Sequence, residues 1–364
     1  MPINNLYSIW RERILQLRPK ERITRVSNLA WLITAIFHGR SVQLSPIATK
    51  IPARVNLLSV VRRLSRLLDN PAVRVREWYE PIVRDWLESA AHTTGEIRLI
   101  ADGTKVGCGH QLLVICLGFR HRAIPLAWTW VRARKGHSSA CKQLALLDYV
   151  HRLIPKGTPV SLVGDSEFGA VEVMRQLKRW RWHYVLRQKA SNQIQLAGQG
   201  WQNFGDVLSH PGQSVWLGRG RLTRKHAYAT NLLAHWEVGE EDLWLLATDL
   251  PDRSTTLQTY ARRMWIEEMF GDLKSKGSDL ESTHLHTCAR LSRLTLAVVL
   301  LYSWLMDIGR KIIKNGRRSW VDRAERRDLS IFQIGLRWVD RCLTNGLPIR
   351  FDCAIGCNGK LSGN

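Results

Sequence analysis

The order of predicted strands and helices between residues 97 and 187 restricts the fold more than any other feature of the sequence. Three β-rich runs come first, and then helices and strands alternate, at residues 97–101, 111–119, 121–131, 138–153, 159–163, 170–180 and 182–187. Strands that alternate with helices along a chain form a sheet covered by those helices. The order therefore predicts an α/β fold.

Three strands followed by helix, strand, helix and strand is the order of the ribonuclease-H-like fold, in which the first and fourth strands are neighbours. We expect this catalytic domain at residues 95–280, with a β-rich insertion at 188–250. Within the insertion, predicted strands at 226–236 and 243–248 flank the turn-like segment EVGEED. A helical domain is predicted at 1–94, and a helical, basic region at 281–364.

Two aspartates stand where predicted strands end. Asp102 closes the strand RLIAD and Asp165 closes SLVGD, and each lies beside a glycine. A carboxylate at the carboxyl end of a strand faces the crevice in which α/β sheets hold their ligands. Either aspartate alone is more often a turn or cap residue. Because the first and fourth strands are neighbours in the predicted topology, we interpret the two aspartates together as a site.

A third acid comes from a helix predicted over residues 254–276, which contains YARRMWIEEMFGDLK. At about 100° per residue, the side chains of one phenol, one carboxylate and two cations fall within an arc of roughly 60°. These are Tyr260, Arg263, Glu267 and Lys274. Glu268 points about 100° away from Glu267, so Glu267 is the preferred third acid. The alternative is a solvated face with an incidental Arg–Glu pair.

The composition of this site indicates its chemistry. Three carboxylates without histidine or cysteine suit a hard cation such as Mg²⁺, with Mn²⁺ as a substitute. Two such ions activate a water or a 3′-hydroxyl and stabilise the leaving oxygen of a phosphodiester. Arg263 and Lys274 would hold neighbouring phosphates, and Tyr260 would add a hydroxyl contact. The sequence therefore predicts two metal ions bound by Asp102, Asp165 and Glu267.

The residues of the helix also carry a family resemblance. The spacing Y-x2-R-x3-E-x6-K, filled by Tyr260, Arg263, Glu267 and Lys274, resembles the signature of insertion-sequence-4-type DDE transposases. The segments ADGTKVG and GDSEFG resemble the two aspartate motifs of that family, and the resemblance covers roughly residues 96–310. It implies a ribonuclease-H-like domain with a β insertion and cut-and-paste transposition by a dimer on paired element ends.

Some members of this family cleave through a DNA hairpin, and in those a tryptophan that opens a W-L-L-x-T strand stacks on a flipped base. Trp244 occupies the like position in LWLLATD, and stacking is worth about 1–3 kcal/mol per base. The alternative is a buried strand tryptophan. Trp236, on the preceding strand, is the main competitor for the stacking role.

Charge predicts the partner. The chain has 54 Lys+Arg against 31 Asp+Glu, a formal net charge of +23 and a pI of about 10.3. Such an excess indicates a polyanion, and double-stranded DNA fits the resemblance, both as terminal inverted repeats and as target. Possible DNA contacts form three clusters, namely Arg62, Arg63 and Arg66, then Arg132, Arg134 and Lys135, and then Arg219, Arg221, Arg224 and Lys225 beside Trp216. Each cluster is equally compatible with a solvated basic surface.

The first of these clusters lies on a predicted helix at 57–68. There the apolar stripe is expected to consist of Leu58, Val61, Leu64 and Leu68. A helical module with a basic face suits DNA binding in a helix-turn-helix-like arrangement.

The remaining features concern location. The most apolar stretch, 294–306, runs about 13 residues and is shorter than a membrane span. Seven scattered cysteines indicate reduced thiols. We therefore expect a cytoplasmic, nucleoid-associated prokaryotic protein that does not act at a membrane.

Two other functions remain open at this point. A ribonuclease-H-like nuclease or resolvase would cut DNA without joining it, and an inactive remnant would bind DNA only. The presence of Asp102, Asp165 and Glu267 favours an enzyme over the remnant.

Overall fold

The structure is a computed structural model that describes residues 2–107, 109–132, 138–274, 277–323, 325 and 327–349. The described residues form two compact units. The first comprises those within 1–89, 106–110 and 268–364, and the second comprises those within 90–105 and 111–267. The fold is mixed α/β.

The described helices are α1 (Pro2–Leu17), α2 (Ile23–Gly39), α3 (Leu44–Ala48), α4 (Leu57–Asp69), α5 (Val75–Thr94), α6 (Ala140–His151), α7 (Val171–Arg179), α8 (Arg253–Ala261), α9 (Trp265–Leu273), α10 (Cys288–Lys314) and α11 (Ile331–Thr344). The described strands are β1 (Ile97–Val106), β2 (His110–Phe119), β3 (Arg122–Val131), β4 (Val160–Gly164), β5 (His183–Arg187), β6 (Gln193–Gln195), β7 (Trp201–Asn203), β8 (Ser214–Leu222), β9 (Tyr228–His235) and β10 (Trp244–Thr248).

The first unit is helical and is built around α10, which packs against α2, α4 and α11. Thr287 caps the start of α10 by accepting a hydrogen bond from the Arg290 amide at 3.4 Å. Among the described helices α10 alone has the length and hydropathy to cross a membrane, yet 89% of its most apolar window is buried inside the protein. Apolar residues on all sides are typical of a core helix, and α10 has that role here.

Helix α4 buries a different stripe from the expected one. Val60, Leu64, Leu67 and Leu68 are buried, whereas Leu58 is 61% exposed and Val61 is half-buried. The expectation for Leu58 and Val61 was therefore wrong. Apolar residues occur on more than one side of this helix, and packing against α2, α3 and α10 selects which of them are buried.

The second unit contains most of a large sheet. Its described strands follow the order β3-β2-β1-β4-β5-β10-β9-β8-β6-β7. β1 is parallel to β4 and β4 is parallel to β5, so the predicted neighbourhood of the first and fourth strands is confirmed. β5 pairs antiparallel with β10, so the strands that follow β5 in the chain continue the same sheet. β9 and β10 form the predicted antiparallel hairpin across residues 236–243.

Strand β1 is longer than expected. The sequence predicts that the strand ends at Asp102, but β1 continues to Val106, so that boundary was wrong. The pairing with β4 does end where expected, because the last partners are Ala101 and Gly164. Asp102 and Asp165 therefore each come directly after the last paired residues of β1 and β4.

The helix predicted over residues 254–276 is divided. Residues 253–261 form α8, Arg262–Met264 form a 3-10 turn, and α9 follows from Trp265. Since a 3-10 turn has 3.0 residues per turn, one continuous helical wheel does not describe this segment. The apolar residues Ile266 and Met269 are fully buried, as expected for the face opposite Glu267.

Candidate active site

The candidate active site begins with two carboxylates placed side by side by the register of β1 and β4. The Asp102 side chain is only 3% exposed, and its Oδ1 accepts a hydrogen bond from the Gly103 amide at 2.7 Å. Asp165 follows the end of β4, and its Oδ1 accepts from the Glu167 amide at 3.1 Å. Both carboxylates are thus held by backbone amides immediately after them in the chain.

Arg263 connects the sheet to the helix. Its Nη2 lies 3.0 Å from Asp102 Oδ2 and 3.0 Å from Glu267 Oε1. The Glu267 side chain is 49% exposed, whereas the Arg263 side chain is 16% exposed. The structure therefore brings Asp102, Arg263 and Glu267 together, although Arg263 comes from the 3-10 turn and Glu267 from α9.

Burial and neighbouring carboxylates raise the pKa of both aspartates. Burial, followed by the neighbouring Asp165 carboxylate, raises the pKa of Asp102 to about 7 despite the opposing charge of Arg263. Burial also raises the pKa of Asp165 to about 6, where Arg263 again opposes and Glu167 adds to the rise. Burial disfavours the Arg263 cation, but Asp102 and the other nearby acids outweigh it and raise the pKa of Arg263. The site holds more carboxylate charge than its one arginine neutralises.

Tyr260 lies beneath Trp244 at the same site. The Tyr260 side chain is 1% exposed, and its hydroxyl has no hydrogen-bond partner among the described residues. Burial raises its pKa even though Arg263 and Arg187 are near. The Tyr260 ring meets the Trp244 ring edge-on, with centroids 5.0 Å apart.

The structure separates the two tryptophans considered for base stacking. Trp244 is the first residue of β10, is half-buried, and contacts both Tyr260 and His235, whose ring centroid is 5.6 Å from that of Trp244. Trp236 follows β9, and its Nε1 donates to the Glu240 carbonyl at 2.8 Å within the hairpin turn. Of these two tryptophans, Trp244 is therefore the one in contact with Tyr260.

Lys274 was expected to share one helix face with Arg263 and Glu267 and to hold a phosphate, but in the structure it contacts an acid. It follows the end of α9, and its Nζ forms an ion pair with Glu281 Oε1 at 2.6 Å. This carboxylate comes from the segment just after the signature. The division of the predicted helix and the end of α9 before Lys274 explain why the helical wheel did not indicate that pair.

The predicted basic contacts are mostly exposed. Arg62 and Arg66 are exposed on α4, but Arg63 is half-buried, with Nε and Nη2 lacking partners among the described residues. On the β8–β9 hairpin, exposed cations alternate along the strand and continue into the turn, at Arg219, Arg221, Arg224 and Lys225, and Trp216 is half-buried nearby in the sequence. Arg132 is exposed, and Arg134 and Lys135 lie outside the described residues.

Glu167 and Gln111 were not identified from the sequence. Glu167 is 6% exposed and lies two residues after Asp165, and its carboxylate accepts a hydrogen bond from Gln111 Nε2. The only signal in the sequence was the segment GDSEFG, in which a second acid follows the aspartate. Nothing in the pattern of β2 distinguishes Gln111 from a surface glutamine.

The described acids fit a divalent cation in part. Asp102 and Asp165 offer the oxygen donors that Mg²⁺ prefers, and their pKa values are raised mainly by burial and also by neighbouring carboxylates, which a cation would counteract. The described residues contain no ready-made group of three acidic, histidine or cysteine side chains in position to hold a metal. Glu267 reaches Asp102 only through Arg263.

Asp102 and Asp165 follow the last paired residues of two parallel strands, and Arg263 links Asp102 to Glu267 on α9, so these residues form the candidate acidic site. The sequence from residue 90 to residue 304, which is 215 of the 364 residues, matches the family described as "Transposase DDE domain". The chain therefore belongs to the transposase DDE domain family. Both aspartates and Glu267 lie inside the matched range.

Two further comparisons complete this result. No curated protein matches the chain. Among solved structures, the cryo-EM structure of a piggyBac transposase synaptic complex with hairpin DNA is similar to it, with a TM-score of 0.41 and 10% identity over 95% of this chain and 83% of that chain.

Proposed function

We propose that this protein is a DNA transposase of the insertion-sequence-4 type, which cleaves element ends and joins their 3′-hydroxyls to target DNA. The observation that carries the proposal is that Asp102 and Asp165 each follow the last paired residues of the parallel strands β1 and β4, with Arg263 linking Asp102 to Glu267. Membership of the transposase DDE domain family supports it. A ribonuclease-H-like catalytic domain agrees with the strand order β3-β2-β1-β4-β5.

In this proposal Asp102, Asp165 and Glu267 hold two Mg²⁺ ions, for which Mn²⁺ can substitute. When bound, such ions activate the attacking hydroxyl and stabilise the leaving oxygen of a phosphodiester. Asp102 and Asp165 must lose their protons to serve as ligands, which their raised pKa values oppose in the absence of a cation. Positive charge at this position relieves the repulsion between them.

Arg263 has two uses in the proposed reaction. In the structure its guanidinium forms ion pairs with both Asp102 and Glu267. When the acids take up a divalent ion, the guanidinium is free to contact a phosphate of the DNA, because its fork matches phosphate oxygens as well as carboxylates. Glu267 would complete the acidic set once Arg263 moves from between it and Asp102.

Lys274 and Tyr260 would also contribute to DNA binding. Lys274 exchanges its contact with Glu281 for a phosphate, and the Tyr260 hydroxyl, which has no partner among the described residues, donates to a phosphate oxygen. Trp244 stacks on a base that has left the helix, which suits a cleavage route through a DNA hairpin. The contact between Trp244 and Tyr260 supports this, because it joins the stacking surface to the acidic site.

The proposed partners are the terminal inverted repeats and target DNA, bound by a homodimer. The net charge of +23 supports a polyanionic partner. The exposed cations of the β8–β9 hairpin and of α4 are the proposed contacts with the DNA backbone.

A cleavage assay on DNA that carries the element's own ends tests the proposal. We expect metal-dependent cleavage by the wild-type protein and a loss of about 1,000-fold or more in Asp102→Asn, Asp165→Asn and Glu267→Gln, equivalent to at least about 4 kcal/mol of transition-state stabilisation. Glu268→Gln is the matched control on the same helix and should retain activity. Full activity in any of the three variants would exclude the proposed site.

A strand-transfer assay separates a transposase from a nuclease that only cuts. The protein is incubated with pre-cleaved ends and a supercoiled plasmid. The expected product is a covalent joint between the 3′ end and the plasmid. Cleavage without any joint would assign the protein to the nucleases instead.

A further inference from the structure

Glu167 lies at the point where the two aspartate segments meet. Its side chain is nearly fully buried, although a glutamate is rarely buried unless its charge is compensated by hydrogen bonds or a partner charge. Its backbone amide donates to Asp165 Oδ1 at 3.1 Å. The fold therefore accepts the cost of a buried acid immediately beside a second acid.

The Glu167 carboxylate is held from two directions. One oxygen, Oε2, accepts from Gln111 Nε2 on β2, and the other, Oε1, accepts from the Ser138 amide at 2.9 Å. Gln143 on α6 donates to the Glu167 backbone carbonyl at 2.7 Å and to Ser138 Oγ at 2.9 Å. Two separate segments of the second unit, β2 and the start of α6, thus converge on the turn after Asp165.

The pair formed by Glu167 and Gln111 also lies against the Asp102 segment. A Cβ atom added to Gly103 would stand 2.6 Å from Gln111 Nε2 and 2.6 Å from Glu167 Oε2. Only a residue without a side chain leaves room for this pair directly after Asp102. The same hydrogen bond therefore borders both catalytic aspartates.

We propose that Glu167 is a positioning residue that sets the separation of Asp102 and Asp165 through its hydrogen bonds to Gln111 and Ser138. This inference rests on the proposed function, because it assigns Glu167 to the same acidic site. If Glu167 served stability alone, well-packed apolar side chains at this position would stabilise the fold equally well. Here the hydrogen bonds instead join the Asp165 turn to β2 and α6. Groups that orient metal ligands typically change metal affinity about 10- to 100-fold when removed.

The hydrogen-bond pattern provides an exchange test. In Gln111→Glu, the new carboxylate at residue 111 faces the Glu167 carboxylate, so the hydrogen bond between these two positions is replaced by repulsion. The turn after Asp165 should therefore be displaced. In the double variant Gln111→Glu/Glu167→Gln, the new amide at residue 167 donates to the new carboxylate at 111, and its oxygen still accepts from the Ser138 amide. The double variant therefore restores every bond with the polarity of one reversed. Glu167→Gln alone should be mild, because the Gln111 amide can turn its buried oxygen, which lacks a partner among the described residues, toward the new donor.

The experiment uses the full-length protein and Mn²⁺ as the probe. Mn²⁺ binding is measured by isothermal titration, thermal unfolding is measured without metal, and the cleavage rate is measured at saturating DNA and metal. We expect Gln111→Glu to weaken Mn²⁺ binding about 10- to 100-fold and to slow cleavage at least tenfold. The double variant should recover both to within about threefold of the wild type. Binding of metal-free protein to DNA should be unchanged throughout, because it depends on surface cations.

Three outcomes would overturn the proposal. In the first, Gln111→Glu binds Mn²⁺ like the wild type. In the second, the double variant recovers thermal stability but not Mn²⁺ affinity, which would assign the network to stability alone. In the third, the double variant Glu167→Ala/Gln111→Glu recovers Mn²⁺ affinity and cleavage as well as Gln111→Glu/Glu167→Gln does, which would show that the hydrogen bond is not the cause.

The inference and the proposed function can fail separately. If the wild-type protein cleaves no DNA, the proposed function fails. The positioning role of Glu167 is then still tested by two measurements, Mn²⁺ affinity and the rate of deuterium exchange at residues 165–168. We expect exchange there to accelerate at least tenfold in Gln111→Glu and to return in the double variant. Unchanged exchange would overturn the positioning role by itself.

Discussion

Arg263 and Asp102 form a largely buried ion pair, with Nη2 3.0 Å from Oδ2, and the same nitrogen lies 3.0 Å from Glu267. The pair joins the 3-10 turn after α8 to β1, one of the two adjacent parallel strands at the candidate site. Burial raises the pKa of Asp102, and Arg263 is the nearby cation that opposes this rise.

Replacement of Arg263 should cost stability in a pH-dependent way. In Arg263→Ala the Asp102 carboxylate is left buried without its cation, which costs about 3 kcal/mol when the acid is ionised. At pH 5 Asp102 is protonated, since its pKa is about 7, and the loss should be much smaller. Urea denaturation of metal-free protein at pH 5 and pH 8 measures the difference. An equal loss at both pH values would show that the ion pair is not the cause.

The metal-free protein should become less stable as the pH rises from 5 to 8. Asp102 and Asp165 have folded-state pKa values of about 7 and 6, above the unfolded value of about 4. Their contribution is therefore fully present below about pH 4 and is lost as the pH rises through 6 and 7. We expect this contribution to be on the order of a few kcal/mol.

Comparison with Asp102→Asn/Asp165→Asn isolates that contribution from all other titrating groups. The difference in unfolding free energy between the two proteins should change with pH in this range. With 10 mM Mg²⁺ the wild type should instead gain stability as the pH rises, because the ion binds only the ionised carboxylates. A difference that is independent of pH would contradict the raised pKa values.

Trp244→Ala should impair the second-strand step more than the first. Loss of one stacking contact costs about 1–3 kcal/mol, which corresponds to a reduction of about 5- to 150-fold in the rate of hairpin formation. First-strand nicking should change by less than threefold, and Trp244→Phe should retain most of the activity. Trp236→Ala is the matched control from the same hairpin. Denaturing gels that resolve nicked and hairpin products give both rates, and an equal loss at both steps would support a purely structural tryptophan.

DNA binding should weaken steeply with salt, and the β8–β9 hairpin should account for part of the slope. Each cation that contacts a phosphate contributes about 0.9 to the slope of log affinity against log salt. Arg219→Ala/Arg221→Ala should therefore reduce the slope by about two. Arg152→Ala is the control, since this exposed arginine is already paired with Asp148 at 3.1 Å. Fluorescence anisotropy between 50 and 300 mM KCl measures the slopes, and an unchanged slope in the double variant would exclude the hairpin as a contact.

Local sequence determined part of the framework that carries the acids. Strand and helix propensities, together with turn residues, placed β4 and α7 within a residue or two, and the end of β4 placed Asp165. The spacing of Arg263 and Glu267 was sufficient to predict that they share one face, because four residues of helix or of a mixed 3-10 and α segment both bring them together. These are properties of a few consecutive residues, so the sequence alone contains them.

Tertiary structure decided the rest. Which stripe of α4 is buried depended on three partner helices, and the true length of β1 depended on its neighbours in the sheet. Lys274 met Glu281 because α9 ends before it, and Glu167 met Gln111 across 56 positions of the chain. Local propensity contains no information on contacts of this kind, since they arise only when packing brings distant segments to hydrogen-bonding distance. The sequence alone therefore indicated the candidate acids, whereas the contacts that hold their side chains were decided by the tertiary structure.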